Sequence, residues 1–85
     1  MRFVKKDKTI NRWNSGPYVI CKYDYVDKKG KFFAYRYFKY KNGGRDAKRL
    51  HPEKEPPQSL AEAKRLCEKV SQEPVPDGIL LVDAP

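Results

Sequence analysis

Residues 18–40 read YVICKYDYVDKKGKFFAYRYFKY. Two runs rich in β-branched and aromatic residues, 18–26 and 32–40, flank Asp27-Lys28-Lys29-Gly30. Such runs favour strands, and a type I turn with Asp at its first position and Gly where a left-handed residue is wanted joins them as a hairpin. Setting Asp27 opposite Lys31 fixes every cross-strand pair. One face then holds Tyr25/Phe33, Tyr23/Tyr35, Cys21/Tyr37 and Val19/Lys39. The other holds Val26/Phe32, Asp24/Ala34, Lys22/Arg36, Ile20/Phe38 and Tyr18/Tyr40, because side chains alternate along a strand. A slip of one residue would exchange partners and spoil the pairing.

Working outward, Asn14-Ser15-Gly16-Pro17 is a turn cluster, and residues 1–16 before it read as a basic N-terminal arm. After the hairpin, Asn42-Gly43-Gly44 is a second tight turn leading to a short third strand near Arg45 to Leu50. Residues 51–58 contain Pro52, Pro56 and Pro57 and read as a loop. Ser59 to Ser71 is a helix, opened by the Ser59/Glu62 capping box and carrying an apolar stripe of Leu60, Ala63, Leu66, Cys67 and Val70. Ile79-Leu80-Leu81-Val82 is a short apolar run, readable as an edge strand or as a homodimer contact. The expected fold is α+β: a three-stranded antiparallel meander packed against one C-terminal helix. It forms a single domain over residues 17–73, with 74–85 as tail or extra strand.

The helix stripe needs an apolar surface. The Tyr-rich face with Val19, Cys21, Tyr23, Tyr25, Phe33, Tyr35 and Tyr37 offers more area. The other face would have to bury Lys22, Arg36 and Asp24, at several kcal/mol unless paired. The expectation is therefore that the Tyr-rich face meets the helix and that Tyr18, Lys22, Phe32, Arg36, Phe38 and Tyr40 are displayed to solvent.

Charge is distributed unevenly along the 85 residues: 1–50 hold 15 of the 19 Lys and Arg but 4 of the 11 Asp and Glu. Ten of the eleven aromatics also fall between Trp13 and Tyr40. Cations interleaved with flat rings suit nucleic acid. The candidate binding residues are Tyr18, Lys22, Lys28, Lys29, Lys31, Arg36, Phe38, Tyr40, Arg45, Lys48 and Arg49. Cys21 and Cys67 are far apart in sequence and His51 is the only histidine, so no metal site is expected. The cysteines read as buried thiols rather than as a disulfide. No catalytic residues and no cofactor are expected: His51 lies in a Pro-rich loop, no pair of carboxylates is brought together, and Gly43-Gly44 is a hairpin turn rather than a phosphate-cradling loop. No apolar run reaches the ~20 residues of a membrane span, and the charged start does not read as a signal peptide, so a cytoplasmic protein is expected.

Gly16-Pro17-Tyr18, the segment Tyr25-Val26-Asp27-Lys28-Lys29-Gly30-Lys31 and the helix opening Ser59-Leu60-Ala61-Glu62-Ala63 together resemble the arm-site-binding N-terminal domain of phage and transposon integrases. More distantly they resemble the plant ethylene-response-factor DNA-binding domain, and they are similar to small phage proteins of the hairpin–helix type. The resemblance spans about Gly16 to Val70 and rests on generic motifs. It implies a three-stranded sheet, backed by a helix, that enters the DNA major groove, with Lys22 and Arg36 facing outward and Lys28, Lys29 and Lys31 near phosphates. With no catalytic domain following, integrase activity is not implied. The expected function is a non-catalytic nucleic-acid-binding module, with DNA preferred to RNA. The alternative is a phage-encoded protein-interaction module that meets an acidic surface and inhibits a host or defence enzyme, of anti-CRISPR or anti-restriction type, acting in the host cytoplasm.

Overall fold

The computed structural model describes residues 1–6, 11–23 and 30–85. In chain order the elements are β1 (Val4–Lys5), β2 (Arg12–Ser15), β3 (Tyr18–Tyr23), β4 (Lys31–Tyr40), β5 (Arg45–Arg49), α1 (Leu60–Ser71) and β6 (Ile79–Leu81). They form one antiparallel six-stranded sheet, ordered β1-β2-β3-β4-β5 with β6 also paired to β4, and one helix. The expected meander is its centre, β3-β4-β5. Residues 1–16, read from sequence as an arm, contribute β1 and β2, and the 79–82 run contributes β6.

The hairpin register differs from the expected one. Cys21 faces Phe33, Ile20 faces Ala34 and Tyr18 faces Arg36, a displacement of four residues along β4. Residues 24–29, with the expected turn from Asp27, lie outside the described residues, but the partners expected for Asp24, Tyr25, Val26 and Asp27 are taken: Ala34, Phe33, Phe32 and Lys31 pair with Ile20, Cys21, Lys22 and Tyr23. Because the displacement is even, each residue stays on the face it was assigned. Two gains accompany this register. Ala34, with no side chain beyond Cβ, lies where the helix crosses the sheet. The C-terminal end of β4 is also left open for β6, which pairs Phe38 with Leu81 and Tyr40 with Ile79. β3 and β5 both pair with Tyr35 and Arg36, so they occupy opposite edges of β4. β5 and β6 both pair with Phe38 and Lys39, which puts β6 on the β3 edge, end to end with it. Tyr37 sits at the joint: its N–H donates to Pro17 O at 2.8 Å and its carbonyl accepts from Val82 N at 3.4 Å.

The turn into β5 uses glycine where L side chains are strained. Gly43 and Gly44 have φ of 104° and 82°, and the N–H of Tyr40 donates to Gly44 O at 2.9 Å. At the helix start, Ser59 is extended (φ −149°, ψ 162°) and its Oγ accepts the N–H of Glu62 at 3.1 Å. Glu62 reaches back to the N–H of Gln58 at 2.9 Å rather than to that of Ser59. The helix closes with Gln72 N and Glu73 N donating to Lys69 O and Val70 O.

The helix covers the face opposite to the one expected. Its core contains Tyr18, Ile20 and Ala34 from the sheet with Ala63 and Cys67 from α1, bordered by Phe3, Trp13, Phe32, Leu50, Leu60, Leu66 and Val70. Trp13 pairs with Ile20, so β2 widens this face; its ring lies 6.2 Å from that of Phe32. The cost that argued against this face is avoided for Lys22 but not for Arg36. Lys22 stays exposed, with Nζ 5.7 Å from the centre of the Phe32 ring, while Arg36 is buried at 7% exposure.

Candidate nucleic-acid interface

Reversing the face breaks up the expected binding surface. Tyr18, Arg36 and Phe38 are buried, so they cannot be displayed together with Lys22 and Tyr40, which are exposed. Phe38 meets Tyr40 edge-on, with ring centres 5.3 Å apart. Lys31, Arg45, Lys48 and Arg49 are exposed as expected, and Lys28 and Lys29 lie outside the described residues.

The helix-free face is assembled by the ladder itself. Residues directly opposite in an antiparallel pair share a face. Arg12 pairs with Cys21, Tyr35 with Arg49, Tyr37 with Ala47 and Lys39 with Arg45. Tyr35 and Tyr37 are half-buried, and Lys39, Arg45 and Arg49 beside them are exposed. Tyr37, Arg45, Ala47, Val82 and Asp83 line an open depression of about 240 Å³. Arg12 is anchored across this face, with Nε donating to Asn14 Oδ1 at 3.1 Å and an Nη donating to the Pro85 main-chain oxygen at 2.8 Å. Tyr35, Tyr37, Lys39 and Arg12 were not among the candidates read from sequence. The alternation already placed the first three on one face; the missing information was which face the helix covers.

One end of this face is closed by structure. Phe33 is buried beneath the ring of His51, 5.3 Å away, and edge-on to Tyr23 at 5.2 Å. His51 Nε2 accepts the N–H of Ala34 at 3.1 Å, and Nδ1 lies 2.9 Å from Pro52 O. A carbonyl oxygen can only accept, so the proton sits on Nδ1 and the imidazole is held as one neutral tautomer. His51 thus closes the ladder where β5 has ended.

The cysteines lie on opposite faces of the sheet and both are free thiols. Burial pushes the Cys67 thiol up to about 12. Burial also raises Cys21, opposed by the nearby positive charge of Arg12. Among the described residues there is no group of His, Cys, Asp and Glu able to hold a metal ion, and no helix is long and apolar enough to cross a membrane.

The exposed cations on both faces of the sheet lack carboxylate partners among the described residues. Among the described residues the one salt bridge joins the Met1 ammonium to Glu68 at 3.8 Å. Lys22, Lys39, Arg45, Lys48 and Arg49 therefore have no carboxylate within ion-pair distance among those residues. No protein-family model matches the chain, nor does any curated protein or solved structure.

Proposed function

We propose that the protein is a small, non-catalytic nucleic-acid-binding module that uses its helix-free sheet face. The observation that carries this reading is the alignment of half-buried Tyr35 and Tyr37 with exposed Lys39, Arg45 and Arg49 on neighbouring strands. Cations with no carboxylate partner gain by displacing the counterions of a phosphate backbone, although Arg49 already donates its Nε–H to His51 O at 2.9 Å. Rings held by a sheet stack on bases at little cost in conformational entropy, worth ~1–3 kcal/mol per base. A base lying on Tyr37 would have Arg45 and Lys39 within reach of its flanking phosphates. This geometry favours single-stranded segments, whose bases present their faces, over a closed duplex.

The test is fluorescence anisotropy with labelled single-stranded and duplex oligonucleotides across a salt series. The expected result is affinity that falls steeply with salt and is higher for the single strand. A log–log slope near zero on both would overturn the proposal. Retention at high salt of an acidic protein, with no oligonucleotide binding, would favour the protein-interaction alternative.

A further inference from the structure

Among the described residues Arg36 is the one buried charged residue, at 7% exposure, and its Nε is shut off from solvent with no hydrogen-bond partner. Burying the Nε–H without a partner is costly, so the chain keeps a donor that its own fold leaves unsatisfied. The residue is not a helix cap, since the closing carbonyls of Lys69 and Val70 take the N–H groups of Gln72 and Glu73.

Arg36 lines a cavity of about 220 Å³ between the end of α1 and the β4–β5 pair. Lys48, directly opposite Arg36 on β5, and Arg49 share its wall; Val70, Glu73 and Pro74 close the helix side. Among the described residues Glu73 is the only carboxylate of the lining, and it makes no ion pair with Arg36, Lys48 or Arg49. Three cations against one acid leave the cavity positive, with a planar donor group at its inner wall.

From this we propose that the Arg36 cavity is a binding site for a phosphate-type oxyanion, centred on the face of the sheet opposite to the proposed nucleic-acid surface, with Arg49 bordering both. Arg36 donates through its two Nη groups, which are not shut off as Nε is, to two oxygens of the anion, and Lys48 neutralises the remaining charge from the rim. The phosphate can come from free inorganic phosphate or from the end of a nucleic-acid strand; the chemistry at Arg36 is the same.

The experiment is an NMR titration of the wild-type protein, following the Arg36 Nε–H resonance, with melting curves at matched ionic strength in chloride. Inorganic phosphate should shift the resonance saturably and raise the Tm by about 6–11 °C at ten times its Kd. The variant Arg36→Met should lose the phosphate-dependent rise while melting higher than wild type in chloride, because an unpaired buried charge has been removed. Glu73→Gln should tighten phosphate binding by removing the competing carboxylate. Short oligonucleotides with and without a 5′-phosphate separate the sources: a shift of Arg36 by the phosphorylated strand alone assigns the site to strand ends, and a shift by inorganic phosphate alone assigns it to the free anion. An unmoved Arg36 resonance with every phosphate source overturns the proposal. So does an equal Tm rise in Arg36→Met, or a Glu73→Gln variant as destabilised as the loss of an internal partner requires. If Arg36→Met fails to fold, the wild-type titration and Lys48→Met decide the matter alone.

Discussion

His51 substitutes for a strand residue: its Nε2 takes the N–H of Ala34 at 3.1 Å, a main-chain donor on a residue that is fully buried. Removing the ring orphans that donor and uncovers Phe33. We expect His51→Ala to lower stability by ~1–3 kcal/mol, the cost of a buried unsatisfied N–H, read as a reduced midpoint in urea with an unchanged m-value. His51→Gln, which can present an acceptor at similar reach, should recover part of the loss. Wild-type stability in His51→Ala would show that this bond does not hold the β4 edge.

Ala34 also reports on register. It pairs with Ile20 beneath the helix, where Ala63 and Cys67 are fully buried. Ala34→Leu should cost ~1–3 kcal/mol by overpacking this seat. Ala47→Leu, on a half-buried position of the opposite face, should cost much less. Equal effects in thermal or urea unfolding would indicate that the helix does not rest on Ala34.

Much of the fold follows from local signals. Ser59 and Glu62 mark the helix start, Gly43-Gly44 the turn into β5, and period-two alternation sorts the residues of β3 and β4 onto their faces. The helix-bearing face was not legible, because the apolar area of a whole face says little about the short stretch that a 12-residue helix covers. Lys22 counted against burial although it projects beyond the helix, and Ala34 counted as little area although its smallness is what admits Ala63 and Cys67. Trp13 and Phe3, lying in a segment of high charge, gave no periodic signal that β1 and β2 extend the sheet. The candidate site changed with the face: Arg45 and Arg49 remain, while Tyr35 and Tyr37 take the place of Tyr18 and Phe38.

Cys67 gives a pH-dependent prediction. Its thiol is pushed from an ordinary value of 9.0 up to about 12 by desolvation, so the folded protein holds the proton that the unfolded chain releases. Stability contributed by this group is therefore complete below about pH 9 and is lost as pH rises toward 12. Cys67→Ala should flatten the alkaline limb of a Tm-against-pH curve relative to wild type. At pH 8 native Cys67 should react with iodoacetamide far more slowly than Cys67 in the urea-unfolded chain. Matching rates in the two states would contradict its burial.

The binding face is tested by charge position rather than by charge total. Lys39 and Arg45 face each other across β4 and β5, both exposed, on the same face as Tyr37. Arg65 and Lys69 are equally exposed on the helix. Each double replacement by Glu changes net charge by the same amount, so a nonspecific attraction would weaken both variants alike. The proposed interface predicts otherwise. Lys39→Glu with Arg45→Glu should lower single-strand affinity by at least tenfold and reduce the magnitude of the salt slope by about 0.7 for each phosphate no longer neutralised. Arg65→Glu with Lys69→Glu should leave the slope unchanged and alter affinity about twofold at moderate salt, where the Debye length is ~10 Å. Tyr37→Ala separates stacking from charge: it should weaken binding by the ~1–3 kcal/mol of one stacked base at an unaltered slope. Circular dichroism of each variant checks that the sheet is intact. Equal losses in the two charge-reversal variants would mean that bulk charge, not the Tyr37–Arg45 surface, attracts the polyanion.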